Sequence, residues 1–222
     1  MPRLAEGLLI AIDGIDGAGK TTQCNLLNDW LISEGFSSII IKEPSKDGKY
    51  AKEIRKRSKN RLFDQLKYTP EYELNLFIED RKENVEKKIQ PNLEDNNIVI
   101  MDRYYFSTIA YQSALGLDQN YIKKLNEDFA PIPDITIIID VTPQVGIKRI
   151  NGRGDTCNSF EKKEYLEKVR KIFLQMKDYP NIHFIEGDHH KTAQDVFQLI
   201  KNIVEPELKK KSSIKRELLV HQ

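Results

Sequence analysis

The residues best suited to chemistry lie near the start of the chain, where positions 14–21 read GIDGAGKT. This stretch matches G-x-x-x-x-G-K-[ST], a pattern in which backbone N–H groups of a glycine-rich loop surround a phosphate. Lys20 can then reach the β- and γ-phosphates of a nucleotide, and the hydroxyl of Thr21 can bind Mg²⁺. The spacing is not the G-x-G-x-x-G of dinucleotide-binding folds. The motif therefore predicts a nucleotide phosphate site with Mg²⁺.

A second polar pair, Asp102 and Arg103, follows the apolar residues 98–101. A carboxylate at a strand end beside the phosphate loop can hold Mg²⁺, and an arginine offers two parallel N–H groups to a phosphate. Asp140 also ends an apolar run and competes for the metal role, but it has no basic neighbour. We therefore expect Thr21 and Asp102 to bind the metal and interpret Asp140 as structural. The alternative for Asp102 and Arg103 is an ordinary ion pair.

Arg149 and Arg153 lie on either side of Asn151 and Gly152. Arginines on a glycine-bearing stretch fit a mobile lid that closes over a transferring phosphoryl group and excludes water. We expect this lid at residues 149–160, although a solvated surface loop can have the same composition. The predicted nucleotide-binding residues combine the phosphate loop, the residue after it and one lid arginine. They are Gly14, Ile15, Asp16, Gly17, Ala18, Gly19, Lys20, Thr21, Thr22 and Arg149.

The hydrophobic pattern predicts the elements that position these residues. Short apolar segments alternate with longer amphipathic ones, and the short ones cover 8–12, 39–41, 98–101, 135–140 and 182–185. Continuously apolar strands separated by helices predict a parallel sheet covered on both faces. Ligands of such sheets bind beyond the carboxyl ends of the strands, where the polar residues above collect. We therefore predict an α/β, three-layer P-loop NTPase fold with a five-stranded parallel sheet.

Apolar residues at helical spacing predict the intervening helices. These cover about 20–34, 50–59, 70–90, 107–115, 119–129, 143 onward, 160–177 and 192–208. We expect one domain, residues 1–208, followed by a basic tail, 209–222, that is frayed or attached to a neighbour.

Length, charge and cysteine content limit the class of protein. The chain has 222 residues, enough for one large domain, and its net charge of +1 gives no argument for nucleic acid or a membrane surface as partner. Cys24 and Cys157 are the only cysteines and lie outside any CxxC pattern, which suits a reducing compartment. The sequence has neither an evident signal peptide nor an apolar run near the ~20 residues of a membrane span. A cytoplasmic protein is therefore expected.

The order of motifs along the chain resembles the thymidylate kinase family. The similarity extends to about residue 208 and rests on GIDGAGKTTQ (14–23), Glu43-Pro44, Phe77 with Arg81, DRYYFSTIAYQ (102–112) and RGDTCNSFE (153–161). The resemblance implies a nucleoside monophosphate kinase that uses ATP and Mg²⁺ to phosphorylate dTMP. A homodimer is expected.

The resemblance also assigns the base and sugar site by motif position. It implies that Phe77 stacks on thymine and that Arg81 donates a hydrogen bond to a base carbonyl. Their spacing places both on one face of a helix, although core packing is the alternative role of Phe77. Tyr111 would lie against the sugar where a ribose 2′-OH would be. Ser107 and Gln112 would border the base.

The phosphate end of the substrate is assigned in the same way. The resemblance implies that Arg103 clamps the substrate phosphate, that Arg55 reaches it, and that Asp16 lies near the sugar 3′-OH and this phosphate. The predicted catalytic residues are Lys20, Asp16, Arg103 and Arg153.

The chain departs from the family pattern in four places, one of which is in the lid, where Asn158 and Ser159 replace the Asp-Arg of many lids. Asp13 stands where the family usually has glutamate, and residues 45–48 (SKDG) replace the usual Gly-Gly-Thr. Some members carry an arginine inside the phosphate loop, where this chain has Gly17. The lid is therefore expected to supply the catalytic arginine, which is Arg153, with Arg149 as the second choice.

Other functions are open on the sequence alone. A kinase for UMP, dCMP or a nucleoside would share the phosphate loop, although Arg103 and Arg55 favour a substrate that already carries a phosphate. A non-catalytic nucleotide-binding switch is disfavoured because no N-K-x-D guanine signature occurs in the chain.

Overall fold

The computed structural model describes residues 4–60, 69–152, 159–188 and 190–220. The strands are β1 (Leu8–Asp13), β2 (Ser38–Lys42), β3 (Ile98–Asp102), β4 (Ile135–Asp140) and β5 (Ile182–Glu186). The helices are α1 (Lys20–Ser33), α2 (Lys49–Asn60), α3 (Pro70–Asn84), α4 (Gln90–Glu94), α5 (Tyr105–Ser113), α6 (Gln119–Glu127), α7 (Pro143–Asn151), α8 (Ser159–Gln175) and α9 (Ala193–Val220). A π-helical segment, Val85–Ile89, joins α3 to α4, and a 3₁₀ helix, Met176–Asp178, follows α8. Within these ranges, no helix has the length and apolar content that a membrane crossing requires.

The five strands form one parallel sheet in the order β2-β3-β1-β4-β5. The central strand is β1, and all of its residues are buried. Its neighbours β3 and β4 contribute their isoleucines to the same core. Because the three strands are parallel, their carboxyl ends meet at one edge of the sheet. The five strands predicted from the sequence are confirmed. The flanking helices complete the predicted α/β P-loop NTPase architecture.

Helix α1 begins directly at the phosphate loop. Gly19 precedes it with a φ of 98°, a conformation that costs little only for glycine. The buried side chains of Cys24, Leu27 and Leu31 then hold the helix against the sheet. This packing fixes the N-terminus of α1, with its partial positive charge, beyond the end of β1.

Helix α3 carries two of the predicted substrate-binding residues. Thr69 caps it by accepting a hydrogen bond from the Tyr72 N–H (3.3 Å), and Pro70 occupies the first turn. The sequence predicts one helix to about residue 90, whereas the structure passes through the π-helical segment into α4. That segment lies just before Pro91, which has no N–H to donate to the preceding turn, so the regular α-helical ladder is interrupted there.

Helix α9 continues beyond residue 208, where the sequence predicts the closing helix to end, and reaches Val220. Lys211, in the predicted tail, is only 5% exposed. Its ammonium donates to the Gly7 carbonyl oxygen (3.0 Å) and pairs with Asp134 (2.9 Å) and Glu6 (3.1 Å). The start of the tail is therefore anchored to the segment before β1 of the same chain, and the expectation of a frayed tail is wrong at this point.

Candidate active site

The phosphate loop joins β1 to α1 and lines a cleft of about 270 Å³. The φ angles of Gly14, Gly17 and Gly19 are all positive, at 139°, 79° and 98°. At Gly14 a Cβ would lie 2.5 Å from the carbonyl oxygen of Ile139 in β4, so only glycine fits. The cleft is lined by loop residues, by the start of α1 and by residues from β2, β3, the turn after β3 and α7. They are Asp16, Gly17, Gly19, Lys20, Thr21, Thr22, Lys42, Asp102, Arg103 and Ile150.

Lys20 is 6% exposed, and its ammonium donates to the carbonyl oxygen of Ile15 (2.7 Å). Burial, reinforced by the positive charge of Arg103, lowers the pKa of Lys20 to about 7, although Asp16 and Asp102 oppose the shift. A bound polyphosphate would add negative charge and favour the ammonium form. A polyanionic ligand in the loop would therefore stabilise the charged form of Lys20.

Thr21 and Asp102, the predicted metal ligands, are in contact. The Thr21 hydroxyl donates to Asp102 Oδ2 (2.6 Å), while Lys42 Nζ lies 2.9 Å from Oδ2 and 3.2 Å from Thr21 Oγ1. Asp102 Oδ1 is buried and has no hydrogen-bond partner among the described residues. Burial alone would raise the pKa of Asp102, but hydrogen bonds from Thr21 and Lys42 outweigh it and lower the pKa. An ionised carboxylate with an unused oxygen, beside a hydroxyl, fits Mg²⁺.

Asp140, the alternative metal ligand, is engaged elsewhere. Arg170 of α8 donates from Nε to Asp140 Oδ1 (2.7 Å) and from Nη2 to Oδ2 (2.9 Å). Both carboxylate oxygens therefore belong to a bidentate pair that joins β4 to α8. This pairing is consistent with the structural interpretation of Asp140, which stays a prediction.

Arg103 occupies the turn between β3 and α5. Its φ of 72° is costly for a residue with a Cβ, and such strain is concentrated at functional sites. Nη2 pairs with Asp16 Oδ1 (2.5 Å), and Nη1 donates to Ser107 Oγ (3.2 Å) and to the Gly14 carbonyl oxygen (3.3 Å). The guanidinium also lies over the Tyr111 ring, 5.3 Å from its centroid. The structure thus brings five predicted site residues into one cluster at the phosphate loop.

Asp13 supports this cluster. Its buried carboxylate accepts hydrogen bonds from the N–H groups of Tyr104 (3.2 Å) and Ser107 (3.1 Å) and from the Ser107 hydroxyl. These contacts satisfy donors at the start of α5, and Ser107 links Asp13 to Arg103. Burial raises the pKa of Asp13, although these donors oppose the shift. In the sequence, Asp13 stands out only as a departure from a family pattern. The feature that could have indicated its supporting role is a carboxylate at the end of a buried strand.

Arg81 lies in a buried cluster and is 1% exposed. Nε and Nη2 donate to Glu43 Oε2 (2.8 and 2.5 Å), Nη2 also donates to Thr108 Oγ1 (3.1 Å), and Nη1 donates to Asn126 Oδ1. An arginine has five N–H groups, and these four hydrogen bonds leave one of them, on Nη1. The predicted contact with the base therefore depends on a single N–H group, because protein neighbours hold the others.

Two other predicted base-site residues are suited to a ligand. Gln112 is fully buried, yet neither its Nε2 nor its Oε1 has a hydrogen-bond partner in the part of the chain that the structure describes. Leaving such an atom unpaired costs about 1–3 kcal/mol, which a ligand can recover. Phe77 is partly exposed on α3, and its stacking on the base stays a prediction.

Arg55 holds the loop that follows the Glu43-Pro44 motif. It donates to the carbonyl oxygens of Ser45 (2.8 Å) and Lys46. Asp80 of α3 holds the same loop by accepting hydrogen bonds from the N–H (2.8 Å) and hydroxyl (2.5 Å) of Ser45. The predicted contact of Arg55 with a substrate phosphate stays a prediction.

Arg149 links the end of α7 to the cleft. It donates to the carbonyl oxygens of Gly17 (3.4 Å) and Gly187 (2.9 Å). Arg153 lies outside the described residues, as does half of the predicted lid, residues 153–158. The choice between Arg149 and Arg153 as the catalytic arginine therefore stays open.

Residues 12–200 match the family model described as thymidylate kinase. The chain is 42% identical over 208 residues to the "Probable thymidylate kinase" of Archaeoglobus fulgidus, across 93% of this chain and 100% of that protein. It is 39% identical over 201 residues to the "Thymidylate kinase" of Desulfotalea psychrophila, across 89% and 96% of the two chains. For the "Thymidylate kinase" of Brachyspira hyodysenteriae the identity is 37% over 198 residues, across 88% and 94%. The family match includes β2 to β5, the last two residues of β1 and the residues that line the cleft, and the chain belongs to the thymidylate kinase family.

Proposed function

We propose that the protein transfers the γ-phosphoryl group of ATP to dTMP, giving ADP and dTDP. The observation that carries the assignment of the base is the buried side chain of Gln112, whose amide is unpaired within the described residues. An amide offers an acceptor and a donor side by side, which complement the N3–H and O4 of thymine. Gln112 follows Tyr111 on α5, and Tyr111 and Ser107, which are one turn apart, both contact Arg103. A base at Gln112 is therefore close to the Arg103 cluster that would bind its phosphate.

The acceptor phosphate is assigned to Arg103, whose guanidinium offers a planar fork to two phosphate oxygens. Asp16 holds this fork by an ion pair and accepts a hydrogen bond from the sugar 3′-OH. Because the pair exists before substrate arrives, less reorganisation is needed during the reaction. The Tyr111 ring fills the space where a ribose 2′-OH would lie, which favours deoxyribose.

The donor polyphosphate is assigned to the phosphate loop, where backbone N–H groups and the start of α1 face it. Lys20 neutralises the charge that develops between the β- and γ-phosphates. Thr21 and Asp102 would hold Mg²⁺, which supplies further charge neutralisation at the β- and γ-oxygens when bound. Phosphoryl transfer depends mainly on such positioning and charge neutralisation.

The remaining assignments concern the two candidate lid arginines and Arg55. Arg153 is the lid arginine that reaches the transferring group, with Arg149 as second choice. Arg55 reaches the acceptor phosphate after it releases the carbonyl oxygens that it now holds. A homodimer and a cytoplasmic location complete the proposal, and the buried free thiol of Cys24 suits a reducing compartment.

A coupled assay of ADP release with dTMP, thymidine, UMP, dCMP and no acceptor tests the proposal. We expect rapid release only with dTMP. Release with thymidine instead of dTMP would indicate a nucleoside kinase, and release that is independent of every acceptor would favour a nucleotide switch. Lys20→Ala is the control, because removal of one positioned electrostatic donor should lower kcat by about 10²–10³.

A further inference from the structure

The register of the sheet places Lys42 beside the predicted metal ligands. In the parallel pair of β2 and β3, Lys42 is the direct partner of Asp102. Side chains alternate between the two faces along each strand, so partners in adjacent strands share a face. The Lys42 ammonium therefore reaches the Asp102 carboxylate from a neighbouring strand, and the functional assignments above leave this lysine without a role.

The ammonium of Lys42 lies between two oxygens that a metal ion would use. It is 2.9 Å from Asp102 Oδ2 and 3.2 Å from Thr21 Oγ1. The Thr21 hydroxyl has one proton and donates it to Asp102 (2.6 Å), so its lone pairs are the groups that face Lys42. A divalent cation would use the same lone pairs. The ammonium thus contacts two oxygens that a metal ion would use, and it has the same sign of charge.

Lys42 and Asp102 differ greatly in how easily they can move. The Lys42 side chain is 57% exposed, whereas that of Asp102 is 2% exposed. An exposed lysine on a flexible stem can move into solvent without opening the core. Asp102 is held among buried residues, and its Oδ1 has no partner within the described ranges. The carboxylate is therefore a fixed cation acceptor, and the lysine is an exchangeable cation.

We propose that Lys42 is an exchangeable counter-cation of the metal site. It holds Thr21 and Asp102 together in the nucleotide-free enzyme and is displaced when a divalent cation arrives with ATP. The inference rests on the proposed use of Thr21 and Asp102 as metal ligands. It follows that the nucleotide-free enzyme resists free divalent cations, because the ammonium already holds Asp102 Oδ2 and Thr21 Oγ1 and repels a cation that approaches Asp102 Oδ1. The displaced lysine can then pair with the triphosphate.

Mn²⁺ takes oxygen ligands as Mg²⁺ does, and its EPR signal reports the unbound ion. Mn²⁺ is titrated into nucleotide-free wild type, Lys42→Met and Lys209→Met. Lys209 is the matched control, because it is an exposed lysine paired with Glu205 at 2.8 Å on α9. We expect Lys42→Met to bind Mn²⁺ about 3- to 10-fold more tightly, the scale of one charge-assisted contact with a partly exposed lysine. Lys209→Met should match the wild type.

Adding Asp102→Asn to Lys42→Met should abolish the increase in Mn²⁺ affinity. This result would show that the additional Mn²⁺ binding occurs at the Asp102 carboxylate. Equal or weaker Mn²⁺ binding by Lys42→Met, or a gain that survives Asp102→Asn, overturns the inference. The Tm supplies a second readout, because Mn²⁺ should raise it more for Lys42→Met than for wild type. Lys42→Gln replaces the methionine variant if that variant does not fold. No nucleotide enters these measurements, so failure of the dTMP assay and failure of this inference are distinguishable.

Discussion

Gly17 in the phosphate loop and Gly146 in α7 are in direct backbone contact. A Cβ on Gly17 would lie 2.2 Å from the carbonyl oxygen of Gly146, and a Cβ on Gly146 would lie 2.4 Å from that of Asp16. Neither distance is possible unless the backbone moves. The helix that leads toward the predicted lid therefore packs on the phosphate loop itself. This contact explains in physical terms why an arginine is absent from the loop at position 17.

Replacing Gly17 with alanine should destabilise the protein. We expect the free energy of unfolding to fall by about 2–5 kcal/mol, which combines the strain of a positive φ with overpacking against Gly146. Gly116→Ala is the matched control, because its φ is 104° and no described atom lies within 4 Å of the added Cβ. For this control, urea unfolding should show a loss of only about 1–2 kcal/mol in the free energy of unfolding. Equal losses in the two variants would mean that the contact with Gly146 is energetically unimportant.

The pKa of Lys20, which burial lowers to about 7 from an ordinary value of 10.5, predicts proton uptake on nucleotide binding. Above pH 7 much of the free protein carries a neutral Lys20, and a bound polyphosphate raises the pKa again. Binding of ADP in EDTA at about pH 8 should therefore take up close to one proton, and its affinity should fall as pH rises above 7.

Calorimetry of ADP binding in buffers of different ionisation enthalpy counts these protons. Uptake should decline below pH 7, because Lys20 is then already charged in the free protein. Lys20→Met is the control and should show no uptake from this position. A wild type whose proton uptake does not change across pH 7 would contradict the assignment.

The buried pair of Arg81 and Glu43 predicts strong coupling between the two residues. Arg81→Met leaves the Glu43 carboxylate, which is 3% exposed, without its charge partner. Burial already raises the pKa of Glu43 against the influence of Arg81. We expect Arg81→Met to cost about 3–5 kcal/mol in the free energy of unfolding, and the double variant with Glu43→Leu to recover most of it. Urea unfolding of the single and double variants measures the coupling, and additive losses would show that the pair is independent.

The strands and the phosphate loop can be predicted because their signals are local. Runs of isoleucine and leucine specify buried strands, and glycine spacing specifies the loop. The position of Lys42 cannot be predicted in this way, because it depends on the register between β2 and β3. Asn126 reaches Arg81 from α6, and Lys211 reaches Asp134 from α9. Such contacts join segments that are distant in the chain, so no local pattern predicts them.

The acceptance of different bases should follow from the direction of the remaining hydrogen bonds. Arginine can only donate, and thymine or uracil O4 is an acceptor that satisfies the remaining N–H of Arg81. The cytosine 4-amino group is a donor, so dCMP would place two donors against each other. A site built around a hydrogen bond can reject the wrong partner by about 10⁴–10⁵. The thymine methyl group should matter less, since one methyl in an apolar pocket contributes about 1–3 kcal/mol.

We therefore expect kcat/KM to be highest for dTMP, lower for dUMP, and far lower for dCMP and for UMP, whose 2′-OH meets the Tyr111 ring. The measurement is kcat/KM for these four with ATP and Mg²⁺. Gln112→Met separates the contribution of Gln112 from that of Arg81. The glutamine amide can rotate to match thymine or cytosine, whereas Arg81 can only donate and therefore discriminates between them. This variant should lose activity toward dTMP and dUMP alike and should still reject dCMP. Equal or greater activity of the wild type with dCMP or UMP than with dTMP would contradict the proposed thymine site but not the phosphate-loop chemistry.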